Sequence, residues 1–304
     1  MQTHPRPTHL AIGMFDGVHL GHRAIIASAL RAARETDGQV AVYTFAPHPS
    51  HVFHPENPIP QILDAPAKES RLRALGVERV FARPFTPEFA SLDAPAFLEL
   101  LQNEVPALAS IHVGFDFRFG RARASDVRQL RELASALGIS VVATPGVEAG
   151  GTRISSTRIR QLIANGDMQE AATLLGYHYE AQGTVRPGRA LGRTIGVPTL
   201  NLVWEPELAP RHGVYVVQAR VGSRWFPGIA NYGLRPTIET PDVACPLLET
   251  HLLADSTNVI NEGFVESCQL HVEWLRFIRP EKQFPTIEAL RSQIAQDIRE
   301  AARR

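Results

Sequence analysis

The stretch that most limits what this chain can become is Gly13-Met14-Phe15-Asp16-Gly17-Val18-His19-Leu20-Gly21-His22, ten residues set between two segments of different period. Before it, Thr8 to Ile12 is a short apolar run of the kind that forms a buried strand. After it, Arg23 to Arg34 carries Ala24, Ile25, Leu30 and Ala33 at helical spacing. The pattern predicts a strand that turns directly into a helix. Gly13, Gly17 and Gly21 let the backbone approach a ligand with no Cβ in the way. A helix beginning there presents unpaired N–H groups and the positive end of its dipole, a seat for phosphate. His19 and His22, three residues apart, share one side of the first turn. Two imidazoles placed there can donate to phosphate oxygens as negative charge builds on them. The plainer alternative is a strand–turn–helix that happens to carry two surface histidines.

The segments that follow repeat the alternation. Gln39 to Phe45 reads as a second strand, ending in Thr44-Phe45-Ala46-Pro47-His48-Pro49. A strand that ends in this rigid turn beside the first one would bring His48 to the ligand crevice; a loop histidine fits the residue equally well. Pro55 to Pro60 is a loop, Ala65 to Leu75 a helix carrying Lys68, and Arg79 to Pro84 a third strand. Ala94 to Asn103 is helical, Ser110 to Gly120 runs from a strand into an aromatic turn, and Asp126 to Leu137 is a helix capped by Asp126. Ile139 to Pro145 is a further strand. Such alternation argues for a parallel sheet with ligands at the carboxyl ends of its strands, where Gly13, Thr44, Gly114 and Asp116 fall. The run Arg153-Ile154-Ser155-Ser156-Thr157-Arg158-Ile159-Arg160 then opens a helix over Ser156 to Ala164. Hydroxyls and arginines at a helix start make a second anion site, or simply a capped helix with surface arginines.

From about residue 180 the period changes. Tyr179 to Arg186, Gly213 to Arg220, Trp225 to Ala230, Leu247 to Leu253 and Gln269 to Phe277 are β-branched or alternating runs separated by turn signals, and Thr286 to Ala302 is a long amphipathic helix. That predicts a small barrel closed by a helix. At 304 residues two domains are expected anyway, divided near Gly176 to Gly183. Lys plus Arg and Asp plus Glu both number 31, which argues against a nucleic-acid or membrane-surface binder driven by bulk charge. Cys245 and Cys268 form no metal-ligand spacing and no disulfide framework, as expected of a reducing cytoplasm. No signal-peptide core or membrane-spanning apolar run is present in the sequence.

Together, GMFDGVHLGH, TFAPHP, VGFDFRFG and RISSTRIR resemble the nucleotidyltransferase half of bacterial bifunctional riboflavin kinase/FAD synthetases. The remainder resembles the other half: GTVRPGRALGRTIGVPTLN (183–201), GVYVV (213–217), GIANYGLRPT (228–237), LETHLL (248–253) and FIRPEKQF (277–284) fall in family order. The resemblance implies a Rossmann-like doubly wound α/β nucleotidyltransferase domain over 1–180, then a small β-barrel kinase domain with a C-terminal helix over 181–304. It implies phosphorylation of riboflavin to FMN, and adenylylation of FMN to FAD with release of pyrophosphate. ATP is co-substrate and Mg²⁺ the metal.

The same resemblance distributes the site residues. His19, His22, Ser156 and Arg160 are expected to neutralise the triphosphate. Gly13, Phe15, Asp16, Gly17, Gly21, Arg153, Ser155 and Thr157 are expected around ATP in the first half, and Gly183, Gly188 and Gly192 around ATP in the second. His48, Asp116 and Arg279 are candidates for binding flavin. Thr199 and Asn201 are expected to hold Mg²⁺; without the resemblance they read as a strand-entry threonine and a turn asparagine. Glu249, which shares a strand face with His251, takes the place of the family's base for the riboflavin 5′-hydroxyl.

The chain departs from the family where Asp255 to Gly263 replaces an Asp-Leu-Tyr-Gly segment and lacks its aromatic residue, which implies a weaker hold on the flavin ring. Val197 and Leu200 occupy variable places around Thr199 and Asn201. Partners are expected to be small molecules, with no nucleic acid and no membrane; the oligomeric state stays open. Two other readings compete. One is a non-catalytic flavin-binding regulatory paralogue. The other is a nucleic-acid-handling module, because His-x-Gly-His also resembles a synthetase signature.

Overall fold

The computed structural model describes residues 5–187, 192, 195–236, 244–253 and 268–303. The chain divides into two compact units, Met1–Ser156 and Thr157–Arg304.

The first unit runs β1 (Thr8–Ile12), α1 (Leu20–Glu35), β2 (Gln39–Phe45), α2 (Ser50–Phe53), α3 (Ala65–Ala74), β3 (Arg79–Arg83), α4 (Pro87–Ala90), α5 (Ala94–Glu104), β4 (Leu108–Gly114), α6 (Val127–Ser135), β5 (Ser140–Thr144), and a hairpin of β6 (Glu148–Ala149) and β7 (Thr152–Arg153). Strands β3-β2-β1-β4-β5 form one parallel sheet in that order. Central β1 is buried along its whole length, which explains its unbroken apolar run. The chain winds outward from β1 through β2 and β3, then returns to the other side for β4 and β5. The order therefore reverses between β1 and β4, and an open α/β sheet holds its ligand at that switch point. Asp64, Thr86, Asp93 and Asp126 each accept from the N–H three residues on and start their helices. The β6–β7 hairpin escaped the sequence reading because its strands are two residues each, joined by Gly150 and Gly151 at φ 61° and 71°.

A polar chain crosses the core of this unit. His9 Nε2 meets Thr36 Oγ1 at 2.7 Å and His9 Nδ1 meets Ser110 Oγ at 2.7 Å. Ser110 Oγ meets His112 Nε2 at 2.8 Å, and His112 Nδ1 meets Ser28 Oγ at 2.9 Å. Thr36 donates its one hydroxyl proton to Ala32 O, 3.0 Å away, so it accepts from His9 Nε2. That choice polarises the whole chain: both imidazoles carry their proton on Nε2, and Ser110 and Ser28 donate to Nδ1. The relay ties α1 to β1 and β4. Burial lowers the pKa of His9 and pushes that of His112 down to about 4, where His9 and Arg31 also oppose a positive charge.

After the first residue of α7 (Ser156–Asn165), the second unit runs through the rest of that helix, α8 (Met168–Leu175), β8 (Glu180–Thr184), β9 (Leu200–Val203), β10 (Gly213–Val221), β11 (Arg224–Pro236), β12 (Ala244–Leu252), β13 (Gln269–Arg279) and α9 (Ile287–Ala301). Six antiparallel strands follow the order β8-β13-β10-β11-β12-β9. The two edge strands meet at an Arg186–Asn201 bridge, where Arg186 N donates to Asn201 O at 2.8 Å, so the sheet curls into a barrel. Its interior is aromatic: Tyr215 stands edge-on to Trp274 at 4.8 Å, and Trp204 and Tyr232 pack beside them. Strand β11 extends beyond the expected Trp225–Ala230 because it pairs with β12 as far as Pro236. Arg279 forms a bidentate pair with buried Asp297 at 2.9 and 2.8 Å, which pins α9 to the end of β13.

Candidate active sites

The turn after β1 is built around its histidines. His19 is the N-cap of α1, and its Nδ1 accepts from His22 N at 3.3 Å. The two rings stack with centroids 3.6 Å apart and 17° between planes, and Phe15 stands edge-on to His22 at 5.3 Å. A Cβ on Gly21 would come within 3.1 Å of His19 Cε1 and 3.2 Å of Nδ1, so glycine there keeps the imidazole in place. The backbone is strained, with Phe15 at φ 51°, Gly17 at 78° and β-branched Val18 at 38°. Each such non-glycine residue costs about 1–3 kcal/mol and persists only where its surroundings enforce it.

Those surroundings are visible. Asp16, expected against ATP, is buried and directs its Oδ1 to the amides of Ile62 (2.9 Å) and Leu63 (3.4 Å). Ser156 Oγ donates to Asp16 O at 2.9 Å, and Thr44 Oγ1 donates to Met14 O at 2.9 Å. Lys68 Nζ reaches Met14 O at 3.4 Å and Phe45 O at 3.5 Å, which brings a buried cation to the carboxyl ends of β1 and β2. The sequence reading gave Lys68 no role. A signal was present: buried Leu72 lies one turn further along the same face of α3.

At the end of β4, Asp116 pairs with Arg153 at 2.7 Å, and the Arg153 guanidinium lies over Phe115 at 4.8 Å. A residue expected at flavin and one expected at phosphate are thus brought together. His48 turns its Nδ1 to Ser50, 2.8 Å from Oγ and 3.1 Å from N, inside its own loop. Ser155 and Ser156 belong to the first unit; Thr157 and Arg160, in α7, belong to the second.

On the barrel, Glu249 of β12 pairs in register with Asn201 of β9 and Asn231 of β11. Directly paired residues point to one face. Their neighbours Leu200, Leu202, Ala230, Tyr232, Leu248 and Thr250 are buried on the other, so the polar row lies outside the barrel core. The sequence reading found Glu249 and Asn201 and passed over Asn231. Thr199 adjoins Gly192, where an added Cβ would be 3.6 Å from Thr199 Oγ1, and Val197 N donates to Gly192 O at 2.7 Å. Gly183 serves packing: a Cβ there would come within 2.7 Å of Leu202 Cδ1. Arg279, expected at flavin, is held by Asp297 as described. Gly188 and the variant segment 255–263 lie outside the described residues. Thr199 Oγ1 and Asn201 Oδ1 are both oxygen donors, a chemistry that fits Mg²⁺.

The fold agrees with comparisons to known proteins. The FAD synthetase family model matches residues 1–158, and the riboflavin kinase family model matches 175–304. A bifunctional riboflavin kinase/FMN adenylyltransferase from Listeria monocytogenes is 35% identical over 95% of this chain and 89% of that protein. The proteins of the same name from Escherichia coli (34%, 95% of this chain and 90% of that protein) and Bacillus subtilis (34%, 97% and 91%) are equally similar. A solved structure described as a macrolide-efflux protein from Streptococcus pneumoniae superposes with a TM-score of 0.85 at 29% identity, covering 100% of this chain and 96% of that one. Among the described residues of this chain, no helix is long and apolar enough to cross a membrane. Both family models and the named relatives converge on one conclusion: this chain belongs to the bifunctional riboflavin kinase/FMN adenylyltransferase family, enzymes that make FMN and FAD.

Proposed function

We propose that the two activities use separate residue sets, with adenylylation carried by 1–180 and phosphorylation by 181–304. The division proposed is one of function and differs from the structural one at residue 156, which the 153–160 motif crosses. In adenylylation an oxygen of the FMN phosphate attacks the α-phosphorus of ATP, the bond to the β-phosphate oxygen breaks, and pyrophosphate leaves. His19 and His22 donate to the phosphate oxygens as charge builds, helped by the N-terminal amides of α1. Ser155, Ser156, Thr157, Arg153 and Arg160 hold the triphosphate, while Gly13, Phe15, Gly17 and Gly21 shape the turn. Asp16 contributes by fixing that turn. His48 and Asp116 flank the flavin. Positioning and charge neutralisation carry the rate. The observation that supports this most is the stacked His19/His22 pair at the N-cap of α1, beside the switch point.

In phosphorylation Glu249 accepts the proton of the riboflavin 5′-hydroxyl, whose oxygen attacks the γ-phosphorus and releases ADP. Gly183, near the end of β8, with Gly188 and Gly192, belongs to the segment expected around its ATP, and Arg279 stands beside the flavin. Thr199 and Asn201 would hold Mg²⁺, which when bound neutralises phosphate oxygens. The enzyme acts in the cytoplasm on small molecules, without nucleic-acid or membrane partners; free Cys245 and Cys268 suit that compartment. Chromatography of riboflavin, FMN and FAD after incubation with ATP and Mg²⁺ tests the reading. Two separable steps are expected, and a variant of one residue set that stops both would overturn the division.

A further inference from the structure

Asn231 lies in register with Glu249 on the outer face of the barrel, yet the assignment of roles above leaves it unused. Its Nδ2 donates to Glu281 Oε1 at 3.1 Å. An ionised carboxylate only accepts, so the NH₂ end of the amide must face Glu281. That settles an orientation that is otherwise ambiguous for asparagine. The carbonyl oxygen, at the other end of the amide, is not the atom that Glu281 engages.

Glu281 is itself seated deliberately. It follows β13 in the segment leading to α9, and its carboxylate fills the space beside Gly233, two residues along β11 from Asn231. A Cβ on Gly233 would collide with Oε1, Cδ and Oε2 of Glu281, so a side chain at 233 would push the carboxylate from this position. The segment is anchored just before it, where Arg279 is clamped by Asp297 and donates from Nη1 to Pro280 O at 3.0 Å. The carboxylate therefore stays where it can orient the amide.

We propose that Asn231 is a further substrate-binding residue of the kinase reaction, oriented by Glu281 so that its carbonyl oxygen accepts a hydrogen bond from the ribityl hydroxyl adjacent to the one phosphorylated. Riboflavin carries its reacting hydroxyl at the end of a polyol chain. Cross-strand neighbours have Cβ atoms about 4.5–5.5 Å apart, which suits two side chains gripping consecutive hydroxyls of one chain. Glu249 takes the terminal hydroxyl and Asn231 its neighbour. Glu281 is a positioning residue that acts through Asn231. The inference rests on the proposed role of Glu249.

The test uses the full-length enzyme, with riboflavin and 4′-deoxyriboflavin as substrates. The wild type is expected to prefer riboflavin about tenfold in kcat/KM, the worth of one buried hydrogen bond. Asn231→Ala is expected to raise the riboflavin KM by about that factor, to bring the preference to about one, and to leave the KM for ATP unchanged. Glu281→Ala shifts both readings in the same direction by less. Glu281→Gln, whose side-chain oxygen still accepts from Asn231, restores them. The preference is a ratio within one protein, so a reduced folded fraction does not alter it. A riboflavin preference that survives in Asn231→Ala overturns the proposal, and so does a wild type with no preference. Glu249→Gln, assayed in parallel, tests proton acceptance by itself. Full activity in that variant would remove the base assignment and leave the Asn231 contact to be judged on the preference alone.

Discussion

The two proposed sites are assembled in opposite ways. In the first unit most of the proposed site is one βα turn: Gly13, Phe15, Asp16, Gly17, His19, Gly21 and His22 fall within ten residues. Distant groups such as Thr44, Lys68 and the amides of 62 and 63 only brace it. On the barrel the polar row is drawn from three strands, and Asn201, Asn231, Glu249 and Glu281 meet only when β9, β11 and β12 pair and the chain returns after β13. A turn can be strained and held locally; a cross-strand row is only as well defined as the register. The first region should therefore fail through its local groups, and the second through whatever disturbs the barrel.

The largest expected effect breaks the comparison at its first term. Changing His19 and His22 together to Ala removes both donors from the N-cap of α1. It should raise the adenylylation barrier by about 3–4 kcal/mol or more, by analogy with oxyanion-hole deletions. FAD production from FMN falls to near background while FMN production from riboflavin continues, as followed by chromatography. Wild-type FAD production in this variant would place the chemistry elsewhere.

Glu249→Gln addresses the second term. It keeps shape and hydrogen bonding and removes basicity, so phosphorylation should slow by about 10²- to 10⁴-fold. Riboflavin and ATP affinities should hold, and adenylylation should be unaffected. Steady-state rates of the two half-reactions check this. Near-normal phosphorylation would mean that the loose phosphoryl transfer needs no base here.

Asp297→Ala asks whether the barrel site depends on its frame. It strands Arg279 beside a buried position, and breaking such a pair costs about 3 kcal/mol or more. Trp204, Trp225 and Trp274 are the chain's three tryptophans and all lie in the second unit, so fluorescence-detected denaturation reports the barrel alone. The tryptophan transition should move to lower denaturant, with adenylylation retained. An unmoved transition would show that α9 is not held by this pair.

Acid should separate the units more gently. His112 is neutral when folded, with its pKa lowered from 6.5 to about 4, and His9 is lowered too. Between those values the unfolded chain binds more protons than the folded one. The stabilisation is thus fully present above about pH 6.5 and declines as the pH falls towards 4, by roughly 3 kcal/mol for His112. Buried phenols of both units point the other way and do not separate them. Burial raises Tyr43 and Tyr232 to about 12 and Tyr215 further, so their contribution is intact below pH 10 and is lost only as the pH rises through the alkaline range. Circular dichroism alongside tryptophan fluorescence from pH 7 to 4 reads both. A tryptophan transition that weakens as much as the overall one would cancel the distinction.

The alternation of strand and helix, the β1 turn and its glycines, the Asp126 cap and the change to an all-β pattern near residue 180 were legible in the sequence. Each is encoded in local spacing, where a period of two or 3.6 residues states which face is buried. Family resemblance added Glu249, Thr199 and Asn201. Other features have no local signature. Asp16 looks like a ligand in a glycine-rich turn, and only the return of the chain at residues 62 and 63 gives its carboxylate amides to hold. Arg279 sits in a motif expected at flavin, and Asp297, 18 residues away, engages it. The His9–Ser110–His112 relay depends on parallel β1 and β4 lying side by side, with Ser110 101 positions after His9. By itself the sequence determined the main strands and helices and the change of period near residue 180, because those follow from neighbours along the chain. The tertiary structure alone decided which protein groups the Asp16 carboxylate and the Arg279 guanidinium engage, because those partners come within hydrogen-bond reach only on folding.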